Sequence, residues 1–331
     1  MSRILLKFLL IVLFGGLMFG LGWQLRITYG SELKTARGRI IRQGITPSGL
    51  VNPLLGCEIG DQDDFQELKL IKENLEKKIH DLEATNSVSN ASLYLRTLNN
   101  GRWLGVNEDA LYAPASMLKV IIMISYFKQA ENNPALLTKQ VIYTSIDNDP
   151  EINVGEKERL TTGNKYSIDK LIEHMIAYSD NAALNALLDS SDPAKLEETF
   201  TTLNLALPKN TDVLDDISAK QYSAVFRTLY SASYLNTDMS EKALRLLSKT
   251  TFQIGIPAQL PTDISVAHKF GIRKVNQSTE LHDCGIIYYP EHPYFLCIMT
   301  KGANIQKQAL AIQELSKLTY TELDTFFKNE K

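Results

Sequence analysis

Three short clusters of this chain hold the residue types needed to attack an acyl carbon without a histidine. Ser116-Met117-Leu118-Lys119 sets a hydroxyl and an amine three residues apart, on one face if residues 116–130 form a helix. Ser179-Asp180-Asn181 adds a second hydroxyl, able to pass a proton, and an amide able to hold a substrate. Lys269-Phe270-Gly271 adds a second amine. Together they supply a nucleophile, a proton acceptor, a shuttle and a cation.

Taken singly, each cluster has a plain structural reading. Serine three residues before lysine also occurs at Ser31/Lys34, Ser125/Lys128 and Ser167/Lys170. Ser116 as a helix cap, Ser179-Asp180-Asn181 as a helix junction and Lys269 as a surface lysine before a turn glycine are each sufficient accounts. Ser116 differs from the other matches in its setting. Pro114 precedes it, and Met117, Leu118, Val120, Ile121, Ile122 and Met123 follow. A helix this apolar is expected to be buried, which brings the Lys119 amine toward neutrality and puts Ser116 at the positive end of the helix dipole.

The elements that position these residues follow from periodicity. Residues 63–83 carry one apolar stripe, Phe65, Leu68, Leu70, Ile71, Leu75, Ile79 and Leu82, predicting a helix with one buried face. A hairpin is predicted over 92–98 and 102–106 around Asn99-Asn100-Gly101. Helices are predicted over 116–130, 167–178, 181–188, 194–203, 219–234 and 241–248. Strands return at 264–270, 283–289 and 294–300, and a helix closes the chain at 305–327. This order predicts an α+β fold: an antiparallel sheet built from N- and C-terminal strands with an all-helical subdomain between them.

With its motifs in this order, the chain resembles the class A β-lactamase and penicillin-binding-protein superfamily of serine hydrolases. The resemblance spans about residues 62–328 and includes Tyr112-Ala113-Pro114-Ala115 before Ser116 and Tyr178 before Ser179. It implies that Ser116 is acylated by a β-lactam or a cell-wall peptide, with Lys119 as proton acceptor. Ser179 then passes a proton to the leaving nitrogen, Asn181 holds a substrate amide and Lys269 attracts the substrate carboxylate. The backbone N–H groups of Ser116 and Ile272 form the oxyanion hole, beside Gly271. The related readings are a D,D-peptidase-like enzyme with poor β-lactam turnover and a non-catalytic domain that binds cell-wall peptide or a partner protein.

Two residues depart from the family pattern. Phe270 stands where a threonine or serine is usual, removing a hydroxyl and adding bulk to the expected binding surface. The deacylating glutamate is missing: residues 203–218 contain none, only Asp212, Asp215 and Asp216. Asp215 or Asp216 is the candidate stand-in. No metal and no cofactor is expected, because in His282-Asp283-Cys284 neighbouring side chains point to opposite faces of a strand.

Residues 4–23 are apolar except for Lys7. As a helix they span about 30 Å, the thickness of a bilayer core. The expected organisation is a single-pass transmembrane anchor over 1–23, a juxtamembrane linker over 24–61 and the hydrolase domain over 62–331, outside the cytoplasm. Arg26, Lys34, Arg37, Arg39 and Arg42 follow the apolar run and, by charge alone, favour the cytoplasmic side; the chemistry favours the opposite side. Leu54-Leu55-Gly56-Cys57 imitates a lipoprotein cleavage site but lies too far from the apolar run. A net charge of −3 gives no pull toward nucleic acid. Cys57, Cys284 and Cys297 leave at least one thiol unpaired within the chain; Cys297 is expected in the core, and a bridge between two of the three stays open.

Overall fold

A computed structural model describes residues 49–52, 66–144, 160–205, 217–275 and 278–329, all within the unit Thr46–Lys331. The expected anchor, Cys57, Asp212, Asp215 and Asp216 lie outside the described residues. Among the described residues no helix is long and apolar enough to cross a membrane.

The sheet has five antiparallel strands: β1 (Asn90–Thr97), β2 (Trp103–Val106), β7 (Val266–Val275), β8 (Ser278–Ile287) and β9 (Tyr294–Gly302). Their order across the sheet is β2-β1-β9-β8-β7, so the first strands of the domain lie beside the last. Short strands β3 (Leu111–Tyr112) and β6 (Ile217–Ser218) pair with each other, as do β4 (Gln140–Ile142) and β5 (Lys165–Ser167).

Both faces of the sheet are covered. On one face, Ala91, Leu93, Leu95, Leu296 and Ile298 join a core with α1 (Lys69–Ala84) and α8 (Ile305–Asn329). Helix α1 contributes Ile71, Leu75, Ile79 and Leu82 of the predicted stripe, whereas Leu70 faces solvent. On the other face, Tyr94, Ile286, Phe295 and Met299 join the helical core. That core is built from α2 (Leu118–Ala130), α3 (Ile168–Ala177), α4 (Asn181–Asp189), α5 (Pro193–Thr202), α6 (Ala219–Tyr230) and α7 (Thr237–Leu247). Because both faces are buried, the central strand β9 reads as a continuous apolar run from Tyr294 to Met299 instead of an alternating one.

Two expectations change here. Cys284 and Cys297 face each other across β8 and β9 and form a disulfide, so Cys297 is both a core residue and a bridged one. Residues 49–52 of the expected linker pack on the domain. Val51 is buried, the Leu50 N–H donates to Glu241 Oε2 at 2.6 Å, and the Asn52 N–H donates to the Tyr230 carbonyl at 2.7 Å.

Candidate active site

The Ser116 segment is a tight turn pressed against the sheet edge. Ala115–Met117 form one turn of 3-10 helix leading into α2. Ala115 lies in the left-handed region at φ 47°, which costs an alanine about 1–2 kcal/mol. No side-chain hydrogen bond caps this helix start, so the Ser116 hydroxyl does not serve as a cap. The buried Tyr222 phenol donates to the Met117 carbonyl at 2.9 Å. Burial, reinforced by the charge of Asp283, raises its pKa well above the tyrosine range and keeps that donor protonated.

Strand β7 is the outer strand of the sheet, and its Gly271 meets the turn. A Cβ there would lie 2.7 Å from the Pro114 carbonyl and 3.1 Å from Met117 Cγ. Glycine is therefore required for the close approach. An edge strand leaves alternate backbone groups unpaired, and Ile272, next along β7, is half-buried.

Behind the turn, four polar side chains make one hydrogen-bond network. Lys119, 1% exposed, donates to the Ser179 carbonyl at 2.5 Å, Asn181 Oδ1 at 2.7 Å and Ser179 Oγ at 3.2 Å. Each of these oxygens accepts from the Lys119 amine. Lys269 donates to the same Ser179 Oγ at 2.9 Å and to the Phe270 carbonyl at 3.2 Å. Burial, and then the nearby charge of Lys119, push the Lys269 pKa well below the ordinary lysine range; Asp283 opposes this. One hydroxyl therefore joins two amines, of which Lys269 is driven toward its neutral form.

The helix junction fixes this geometry. Ser179 adopts φ 57°, and Asp180 caps α4 by accepting from the Ala182 and Ala183 N–H groups at 2.9 and 3.0 Å. Asp180 thus holds the helix end while Ser179 and Asn181 face Lys119.

Phe270 occupies a different place from the one expected. It is 1% exposed, belongs to the core under α8, and stacks on Phe252 with ring centroids 4.2 Å apart. Its bulk does not enter the cleft. Strand alternation turns Phe270 to the face opposite Gly271, and Lys269 Nζ lies 4.0 Å from its ring centroid. The three residues His282-Asp283-Cys284 separate as the strand geometry requires. Asp283 bonds His268 Nδ1 at 2.8 Å and accepts from the Ile256 N–H at 2.8 Å. His282 instead contacts the Ala113 carbonyl at 3.1 Å, and Cys284 is bridged.

Sequence reasoning missed Glu280, which accepts from the Ala113 N–H at 2.9 Å, and the His268–Asp283 pair. The only available signal for Glu280 was its two-residue spacing from His282 on a strand, which puts both on one face.

A family model described as the beta-lactamase enzyme family matches residues 74–323. No curated protein matches the chain. Among solved structures, PBP-A as an acyl-enzyme complex with penicillin G is similar at TM-score 0.66 and 20% identity, covering 80% of this chain and 100% of that one. A β-lactamase from Chitinophaga pinensis is similar at TM-score 0.66 and 18% identity, covering 76% and 99%. A class A β-lactamase from Mycobacterium abscessus is similar at TM-score 0.65 and 19% identity, covering 76% and 99%. At these identities the likenesses concern the fold.

Proposed function

The chain belongs to the beta-lactamase enzyme family, and from that premise we propose that it is an active-site-serine hydrolase acylated at Ser116 by a β-lactam or a cell-wall peptide. The observation that carries this reading is the single network of Lys119, Ser179, Asn181 and Lys269 beside the Ser116 turn.

The steps follow from the network. Lys119 first passes a proton to Ser179 Oγ as Ser179 passes its own to neutral Lys269, which leaves Lys119 a free amine. Ser116 Oγ then attacks the acyl carbon and gives its proton to that amine. The Ser116 and Ile272 N–H groups receive the oxyanion; such a donor contributes about 3–4 kcal/mol. Collapse of the tetrahedral intermediate breaks the bond to the leaving nitrogen, which takes a proton back through Ser179. Asn181 orients the substrate amide. Buried as it is, Lys269 suits this proton relay better than a direct ion pair with the substrate carboxylate.

Release is expected to be slow. Between residues 203 and 218 no glutamate is present to activate water; of the three carboxylates there, Asp212, Asp215 and Asp216, the last two are the candidate stand-ins. The protein then behaves as a penicillin-binding enzyme with poor turnover. We place the domain outside the cytoplasm, anchored by residues 4–23. The Cys284–Cys297 bridge supports an oxidising compartment.

The test is the intact mass of the protein after incubation with benzylpenicillin. The expected result is a stoichiometric adduct that decays over minutes to hours and is absent from Ser116→Ala. Absence of any adduct, with no hydrolysis of nitrocefin or a thioester, would favour a peptide-binding module.

A further inference from the structure

Three residues before Ser116, the chain is held by both polar groups of one residue. The Ala113 N–H donates to Glu280 Oε2 at 2.9 Å. The Ala113 carbonyl accepts from His282 Nε2 at 3.1 Å. The tautomer follows from the other ring nitrogen: the Thr300 N–H donates to His282 Nδ1 at 3.3 Å, so the ring proton is assigned to Nε2. His282 Nε2 also lies 3.4 Å from Glu280 Oε2, and Lys301 Nζ lies 3.2 Å from Glu280 Oε1. The two holding residues are thereby tied to each other and to β9.

The neighbouring residues are set for the same purpose. Tyr112 packs edge-on against His282 with ring centroids 5.2 Å apart, and Lys301 Nζ sits 5.1 Å above the Tyr112 ring. The Tyr112 hydroxyl pairs with Ser92 and Asn90. On the neighbouring strand, Gly271 pairs in register with His282 and leaves room for the Pro114 carbonyl. Downstream, the left-handed Ala115 must be kept from relaxing. Burial alone would raise the Glu280 carboxyl pKa, but the His282 and Ala113 hydrogen bonds and the charge of Lys301 hold it down to about 2. The carboxylate is a permanent acceptor at neutral pH.

We propose that Glu280 and His282 are positioning residues for the nucleophile: by gripping both polar groups of Ala113 they hold the strained turn that aims the Ser116 hydroxyl. This rests on the reading of Ser116 as the acylated residue. Neither side chain touches the reacting atoms. Their loss therefore slows the chemical step and leaves non-covalent binding intact, because misplacement of a reacting group by about 1 Å costs roughly a hundredfold in rate.

The experiment measures the acylation rate constant and the non-covalent Kd for a fluorescent penicillin separately, by stopped flow. Glu280→Ala is expected to lower the rate constant roughly 10–100-fold with Kd changed less than about twofold. Glu280→Gln, whose amide oxygen still accepts from the Ala113 N–H, restores most of the rate. A wild-type rate in Glu280→Ala, or a loss confined to Kd, overturns the proposal. If Glu280→Ala does not fold, His282→Phe keeps the ring against Tyr112 but removes Nε2–H; it must show the same slowing, and an unchanged rate overturns the proposal. Amide exchange over residues 113–117 separates this inference from the acylation reading. If wild type takes no penicillin, that reading fails. Faster exchange in Glu280→Ala or His282→Phe than in wild type then still supports the grip, and unchanged exchange in both refutes it.

Discussion

Replacing Phe270 by threonine, the residue usual in the family motif, is expected to damage this protein. The ring is 1% exposed and stacked on Phe252 at 4.2 Å, in a core that includes Ile256 and Leu281. Removing a buried phenylalanine side chain costs about 3–5 kcal/mol. The stacked pair contributes about 0.5–1.5 kcal/mol of this. A threonine hydroxyl left without a partner in this core adds a further cost of about 1–3 kcal/mol, offset by the methyl group that threonine retains. A net loss of about 3–5 kcal/mol lowers Tm by roughly 6–15 °C in a domain of this size. The contact of Lys269 Nζ with the ring is lost as well. The assay is thermal unfolding of wild type and Phe270→Thr, with penicillin labelling at a temperature where both are folded. A variant melting within about 2 °C of wild type would refute the packing argument. A variant that labels faster would show that the missing hydroxyl, not the packing, limits recognition.

Lys269→Met is expected to abolish penicillin labelling without lowering stability at neutral pH, since a buried amine whose charged form is disfavoured by desolvation is replaced by an apolar chain. The linkage sign is definite. A folded pKa below the unfolded one means the unfolded chain binds more protons between the two values. Wild-type stability therefore rises with pH from the depressed value toward about 10.4. Urea midpoints measured across that range should lose the rise in Lys269→Met. Asp283→Ala removes the partner of His268 and the acceptor for the Ile256 N–H; a loss of about 3–5 kcal/mol is expected, read from denaturant midpoints, with Asp283→Asn milder. Gly271→Ala sets a Cβ 2.7 Å from the Pro114 carbonyl. It should shift the Ser116 turn and slow acylation at least tenfold while costing about 1–3 kcal/mol; unchanged acylation would mean that the strand and the turn move apart freely.

Much of the architecture was legible in the chain because its signals are local. The stripe in α1 and the capping residues at the Ser179-Asp180-Asn181 junction are written within a few neighbouring residues. The apolar run of β9 and the order of the three motifs are equally readable. Helical spacing, capping and turn chemistry act over one or two turns, so short windows suffice to find them.

What tertiary structure alone decided depends on contacts between distant segments. Whether Phe270 faces the cleft or the core is a matter of strand parity and of Phe252, eighteen residues away. That Ser179 stands between two amines depends on α2, the helix junction and β7 converging from positions 60 to 150 residues apart. The hold of Glu280 on Ala113 spans 167 residues, and the cysteine pairing required the register of β8 against β9. Burial and charge at such meeting points are properties of the packed fold, and no stretch of residues specifies them before the fold exists.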